Sequence, residues 1–228
     1  MVASARAGID ERTPMRIQRS TEHRIVPWAN GLGVTADVFL SPPDTDDWTW
    51  RISIADVSDD LPFSSMPGID RHIVVAQGAG MALTIDGAPE HRMDLRTPPL
   101  SFAGESVTAC RLLDGPIADL NLMTRRGKAT GTLRVVDIPS AAVINLWPSD
   151  IAIVVLDGTV FVDSDELTTF DAVLLVSVPA PDDVGRAANI QARIPTAGPR
   201  GARVAIASVE ESRTICGTAD LATARVSA

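Results

Sequence analysis

A chain of 228 residues, 45% of them apolar, is long enough for one large all-β domain or two small ones and rich enough to bury a sizeable core. Its net charge of −9 disfavours non-specific binding to nucleic acid or to an anionic membrane, since both call for excess Lys and Arg. Aromatic residues make up only 4%, so the core rests on Val, Ile, Leu and Ala, and the two cysteines, Cys110 and Cys216, fit a reduced, cytoplasmic setting rather than a disulfide scaffold.

Residues 1–14 carry mixed charges and no apolar stretch of signal-peptide length, so they read as a flexible leader. No run of about 18 apolar residues occurs anywhere, which excludes a spanning helix. Met15–Gln18 reads as a short strand. The stretch 25–35 joins an apolar approach, Pro27, the pair Asn30-Gly31 and Gly33. Asn-Gly is a strong hairpin signal because both residues tolerate positive φ. It reads first as a plain hairpin turn, and alternatively as a loop whose N–H groups converge on an anionic or carbonyl group. A strand is predicted over 34–40, followed by a loop whose Asp44, Asp46 and Asp47 lack the spacing of a calcium loop.

Residues 48–78 organise the rest. Trp48, Trp50, Ile52 and Ile54 fall on one strand face, and Thr49, Arg51, Ser53 and Ala55 on the other. A turn-rich stretch with Pro62, Pro67 and Gly68 leads to a second strand over 73–76, which stops at Gly78. This arrangement brings Arg51, Ser53, Ser64, Arg71 and His72 toward one another, and the guanidinium pair Arg51 and Arg71, if it faces one cavity, suits a dicarboxylate ligand. The bland alternative pairs Arg51 and Arg71 with Asp56 and Asp70 on a solvated face.

Further strands are predicted over Met81–Ile85, which ends at the hairpin signal Asp86-Gly87, and over 100–102, 107–113 and 117–123. In the last, Asp119, Asn121 and Met123 share one face and Leu120 and Leu122 the other. Residues 125–131 are basic, contain glycine and read as the linker between two halves. Strands resume over 133–136, 142–146, 151–156, Val160–Val162, 173–178 and 204–208; loops are expected at 179–185 and 195–201. The tail, residues 217–228, reads as flexible.

An internal echo supports two related β-barrels or sandwiches. Ile73-Val74-Val75-Ala76-Gln77-Gly78 matches Ile153-Val154-Val155-Leu156-Asp157-Gly158, and each copy is followed by alternating apolar residues. His23, His72 and His91 form no pair at metal-ligand spacing, and no nucleophile motif occurs, so neither metal nor cofactor is expected. His72 and Glu105 are the acid and base that an enzymatic reading would need.

Several motifs together resemble the HutD/Ves family: residues 27–35 (Pro-Trp-Ala-Asn-Gly-Leu-Gly-Val-Thr), Trp50-Arg51-Ile52-Ser53-Ile54-Ala55, Pro62-Phe63-Ser64 with Pro67-Gly68-Ile69-Asp70-Arg71, Phe102-Ala103-Gly104-Glu105, and residues 121–127 (Asn-Leu-Met-Thr-Arg-Arg-Gly). They come in that family's order over about residues 15–127, while the second half is similar only in its apolar pattern. The resemblance implies an all-β bicupin of two RmlC-like double-stranded β-helix (jelly-roll) barrels, one over 15–127 and one over 128–216. It implies a pocket formed by Trp28, Asn30, Thr35, Arg51, Ser53, Phe63, Ser64, Arg71, Asn121 and Met123. It further implies a cytoplasmic, metal-free protein that binds a small acidic metabolite, such as N-formylglutamate or another histidine-degradation intermediate, and regulates histidine utilisation. The alternative is a cupin-type isomerase, hydrolase or metal-dependent oxygenase acting on a related metabolite. The fold leaves room for a homodimer through sheet edges. The family commonly has Gly where this chain has Leu32, which bears on the openness of the loop.

Overall fold

The structure, a computed structural model, describes residues 15–28, 33–43, 45–138, 144–145, 149–162, 165–175, 189–190, 192–193 and 201–212. The expected leader and tail, the loops at 179–185 and 195–200, Asn30, Leu32 and Cys216 lie outside them. The chain is all-β, with one short 3-10 helix at Ser20–Glu22 among the described residues. No helix among them is long and apolar enough to cross a membrane.

The first half contains β2 (Arg24–Pro27), β3 (Gly33–Ser41), β4 (Trp50–Val57), β5 (Ile69–Gln77), β6 (Met81–Ile85), β7 (His91–Met93), β8 (Leu100–Ala103), β9 (Thr108–Leu112) and β10 (Ile117–Arg125), preceded in the chain by β1 (Met15–Gln18). They form a six-stranded sheet in the order β2-β3-β4-β10-β5-β8 and a three-stranded sheet β7-β6-β9, paired antiparallel throughout. The second half contains β11 (Ala129–Ile138), β12 (Ile144–Asn145), β13 (Asp150–Asp157), β14 (Val160–Val162), β15 (Asp165–Leu167), β16 (Ala172–Leu175), β17 (Asn189–Ile190), β18 (Ala192–Arg193) and β19 (Ala202–Glu211). Its main sheet runs β1-β16-β13-β19-β11, beside the sheets β15-β14-β18 and β12-β17.

The echo in sequence is an echo in pairing. The run β4-β10-β5-β8 has its counterpart in β11-β19-β13-β16, and β7-β6-β9 in β15-β14-β18. Gly78 and Gly158 end the two equivalent strands at φ +92° and +82°. A Cβ at either would come within 3 Å of the facing backbone: Pro116 O at 2.6 Å for Gly78 and Ala202 Cα at 2.9 Å for Gly158. Glycine is therefore required twice for one structural reason.

Three expectations are corrected by these observations. β1 pairs with β16, Met15 opposite Leu175, so the start of the chain completes the second half rather than the first. The basic linker shrinks to the turn 126–128, because β10 runs on to Arg125 and β11 already begins at Ala129. Its cations are paired: Arg126 with Asp70 and Glu105, Arg125 and Lys128 with Asp47. Trp48 does not extend the apolar face of Trp50; it lies before β4 and packs with Ile69 and Met123.

The two halves share one core. Ile52, Ile54, Val74, Leu120 and Leu122 of the six-stranded sheet meet Leu133, Val154, Leu156, Ala205 and Ala207 of the five-stranded one. The opposite face of the six-stranded sheet looks toward β7-β6-β9, where Ile73, Val75, Met81, Leu83 and Met93 make a second core. β10 is thus buried on both faces from Ile117 to Thr124.

Candidate functional site

β10 alternates with period two, so its odd positions all point away from the inter-half core. Asp119, Asn121 and Met123 line a cavity of about 410 Å³. β4 and β5 flank β10 with Arg51 and Arg71 both in register with Met123, and Ser53 with Asn121. Val26 of β2, Trp28 just after it and Thr35 of β3 line one side, and the loop before β5 adds Phe63, Ser64 and Met66 to the lining. That loop is pinned: Phe63 N–H donates to Thr108 O at 2.9 Å and Met66 N–H to Gly104 O at 2.7 Å.

Nine of the ten residues expected at the pocket line this one cavity; Asn30 lies outside the described residues. His72 does not join them. It neighbours Arg71 on β5 and therefore faces the other way, where its Nδ1 is 2.7 Å from Ser101 Oγ. Glu105 is likewise elsewhere, on a surface turn, its carboxyl held below the usual range by hydrogen bonds from Arg126. The acid and base that an enzymatic reading needed are thus absent from the cavity wall. Nor do Arg51 and Arg71 pair with Asp56 and Asp70. Asp119 was missed as a pocket residue, although its alternation with Asn121 and Met123 places it on the same face. The apolar wall, Val26, Val57 and Leu61 among it, carries no signal that separates it from ordinary core.

The polar groups form two chains. Buried Asp37 accepts hydrogen bonds from Arg51 Nε at 2.7 Å and from Arg24 Nη2 at 2.8 Å, so Arg51 is tied from behind. Arg71 Nη2 donates to Asn121 Oδ1 at 2.9 Å, and Asn121 Nδ2 donates in turn to Asp119 Oδ1. The Arg71 guanidinium lies 4.7 Å from the Phe63 ring centroid and 5.3 Å from that of Phe102, a favourable cation–π setting. Its Nε has no hydrogen-bond partner among the described residues. Trp28 is fixed by its Nε1–H, which donates to Thr35 Oγ1 at 2.8 Å.

Burial lowers the Arg71 pKa; Asp119 opposes this and Arg51 adds to it, yet a guanidinium keeps its charge at neutral pH. Burial pushes the Asp119 carboxyl up to about 7, against the pull of Arg71 and with a further push from Asp56. Cys110, in the second core, is raised to about 12 by burial, Asp119 and Asp60, so its thiol stays protonated and is a poor nucleophile. No group of three or more His, Cys, Asp or Glu among the described residues is placed to hold a metal ion. What remains is a walled cavity with aromatic and aliphatic sides, a buried guanidinium, an amide and a carboxyl.

A family model described as HutD matches residues 20–194. Protein Ves of Citrobacter koseri is 39% identical over 48% of this chain and 58% of its own length. An uncharacterized 21.2 kDa protein of Pseudomonas putida, in the hutC 3' region, is 38% identical over 48% of this chain and 57% of its length. The chain thus spans somewhat over half the length of these curated relatives. Among solved structures, HutD from Pseudomonas fluorescens SBW25 superposes with a TM-score of 0.69 at 28% identity, covering 87% of this chain and 100% of that one.

Proposed function

This chain belongs to the HutD family, which is associated with the histidine-utilisation locus, and we propose that it is a binding protein whose cavity takes a small acidic metabolite. The observation that carries this reading is Arg71: a buried cation on the wall of a cavity of about 410 Å³, held over two aromatic rings and hydrogen-bonded to a neutral amide, Asn121. A buried charge is costly unless it is paired, and a ligand carboxylate in the cavity supplies a counter-charge. Asn121 and Ser53 add neutral polar contacts, and Trp28, Phe63 and Met123 shape the apolar part. We take the ligand class to be an intermediate of histidine degradation such as N-formylglutamate, bound in the cytoplasm to regulate pathway flux. The architecture is proposed to be a bicupin, supported by the repeated pairing order of the two halves.

Thermal unfolding against N-formyl-L-glutamate, urocanate, histidine, glutamate, formate and divalent metals tests the reading. A ligand present at a hundred times its dissociation constant adds about 2.7 kcal/mol. The expected result is a shift with an acid of the series. Replacing Arg71 by Ala should weaken that binding by about 1.5–3 kcal/mol. A shift with metals alone, or undiminished acid binding by the Arg71→Ala protein, would overturn it.

A further inference from the structure

Asp119 sits awkwardly in an anion site: its carboxyl is buried, lines the cavity, and is linked through Asn121 to the Arg71 guanidinium on the same wall. Ionised, it would compensate the charge of Arg71. A second carboxylate would then bring a net negative charge beside the buried Asp119, and like charges close together in a buried setting do not ionise together. The remaining charges around it cannot absorb that excess. On β4, Arg51 is committed to Asp37 of β3, and the exposed Asp56 adds to the push against ionising Asp119. From the opposite sheet, β9 presents Cys110, whose thiol is neutral.

We infer that Asp119 couples ligand uptake to proton uptake: the cavity takes a carboxylate together with one proton, which Asp119 holds, leaving Arg71 uncompensated toward the ligand. This rests on the binding reading above. The raised pKa of the carboxyl, about 7, accords with it and places the coupling near neutral pH. Protonated Asp119 is also a hydrogen-bond donor, so the site favours a ligand with an acceptor beside its carboxylate. Fully charged cavity walls would not give that preference.

Calorimetry with N-formyl-L-glutamate and with formate, run in HEPES and in Tris at about pH 8, counts the protons. Both ligands are fully ionised there, so any proton taken up goes to the protein. The expected result is close to one proton per anion at about pH 8, falling toward none at about pH 5.5, and affinity that drops about tenfold per pH unit above 7. The Asp119→Asn protein should bind with no proton uptake and a flat pH profile. Binding by the native protein without proton uptake at about pH 8, or the same pH slope in the variant, overturns the inference while leaving the binding reading intact. The two-buffer comparison on the native protein stands even if the variant does not fold. No binding of any anion by the native protein between about pH 5.5 and 8.5 overturns both.

Discussion

Asp119 has a consequence for stability as well as for binding. Its folded pKa, about 7, lies above its unfolded value near 4. The native state therefore holds the extra proton between these values, and the stabilisation this brings is complete below about pH 4 and lost as pH rises through 7. The Asp119→Asn protein should be the more stable one at about pH 8, by at most about 4 kcal/mol, with the difference closing toward pH 4. Urea unfolding of both proteins at several pH values measures it, and a difference that grows on acidification would contradict the assignment. Gly33 makes a second point at this scale. A Cβ there would lie 2.7 Å from the Trp28 ring and 2.9 Å from Asp56 O. The Gly33→Ala change should cost about 1–3 kcal/mol and displace Trp28 from the cavity, seen as a changed tryptophan emission and weaker ligand binding. Arg51 and Ser53 were legible because strand periodicity assigns faces without knowing the fold; Asn121 and Met123 came to the pocket through the family resemblance, although alternation puts them on one face. The partners of Arg51 and Arg71 were not legible. Asp37 reaches Arg51 only because β3 lies beside β4, and no local pattern encodes which strand becomes the neighbour.

Among the elements, β10 carries the most. Asp119, Asn121 and Met123 line the cavity, and Leu120 and Leu122 belong to the core shared by both halves. Truncating Leu122 to Ala should cost about 2–5 kcal/mol, and it should also loosen ligand binding, because Asn121 and Met123 are set by the same backbone. Intact binding in a strongly destabilised Leu122→Ala protein would show that the two faces act independently. β1 makes a different case. Ile17 packs on the core of the second half and stands opposite Val173. The Ile17→Asp protein should lose hydrogen-exchange protection along β16 while the β6–β9 amides keep theirs. Strands such as Met81–Ile85 and Val160–Val162 were plain in the sequence, since alternation and a following Asp-Gly or apolar echo bound them. The three-residue strands His91–Met93 and Asp165–Leu167 were not, being polar and too short to show a period.

For the whole molecule, the deciding feature is the shared core. The connection between halves is the turn 126–128, and the face of one main sheet is buried against the other. Trp50 Nε1–H also donates across the boundary to Glu211 at 2.8 Å. Neither half keeps its main apolar face covered alone, so denaturation should be a single transition, with tryptophan fluorescence and far-UV circular dichroism coinciding. Two separated transitions would mean that the halves stand by themselves. The duplication was readable from 73–78 and 153–158, but the exchange of β1 to the far half was not: four residues of weak amphipathic pattern fit any sheet edge.

That exchange also sets a schedule for synthesis. Met15 leaves the ribosome early, whereas Leu175, its partner, follows about 160 residues later. At about 5–20 residues per second the wait is roughly 8–30 s. Through that interval Met15 and Ile17 have no sheet to join and the first half can already be assembling. β1 therefore joins its sheet only after β16 has been made, and β19, made later still, fills the place between β13 and β11.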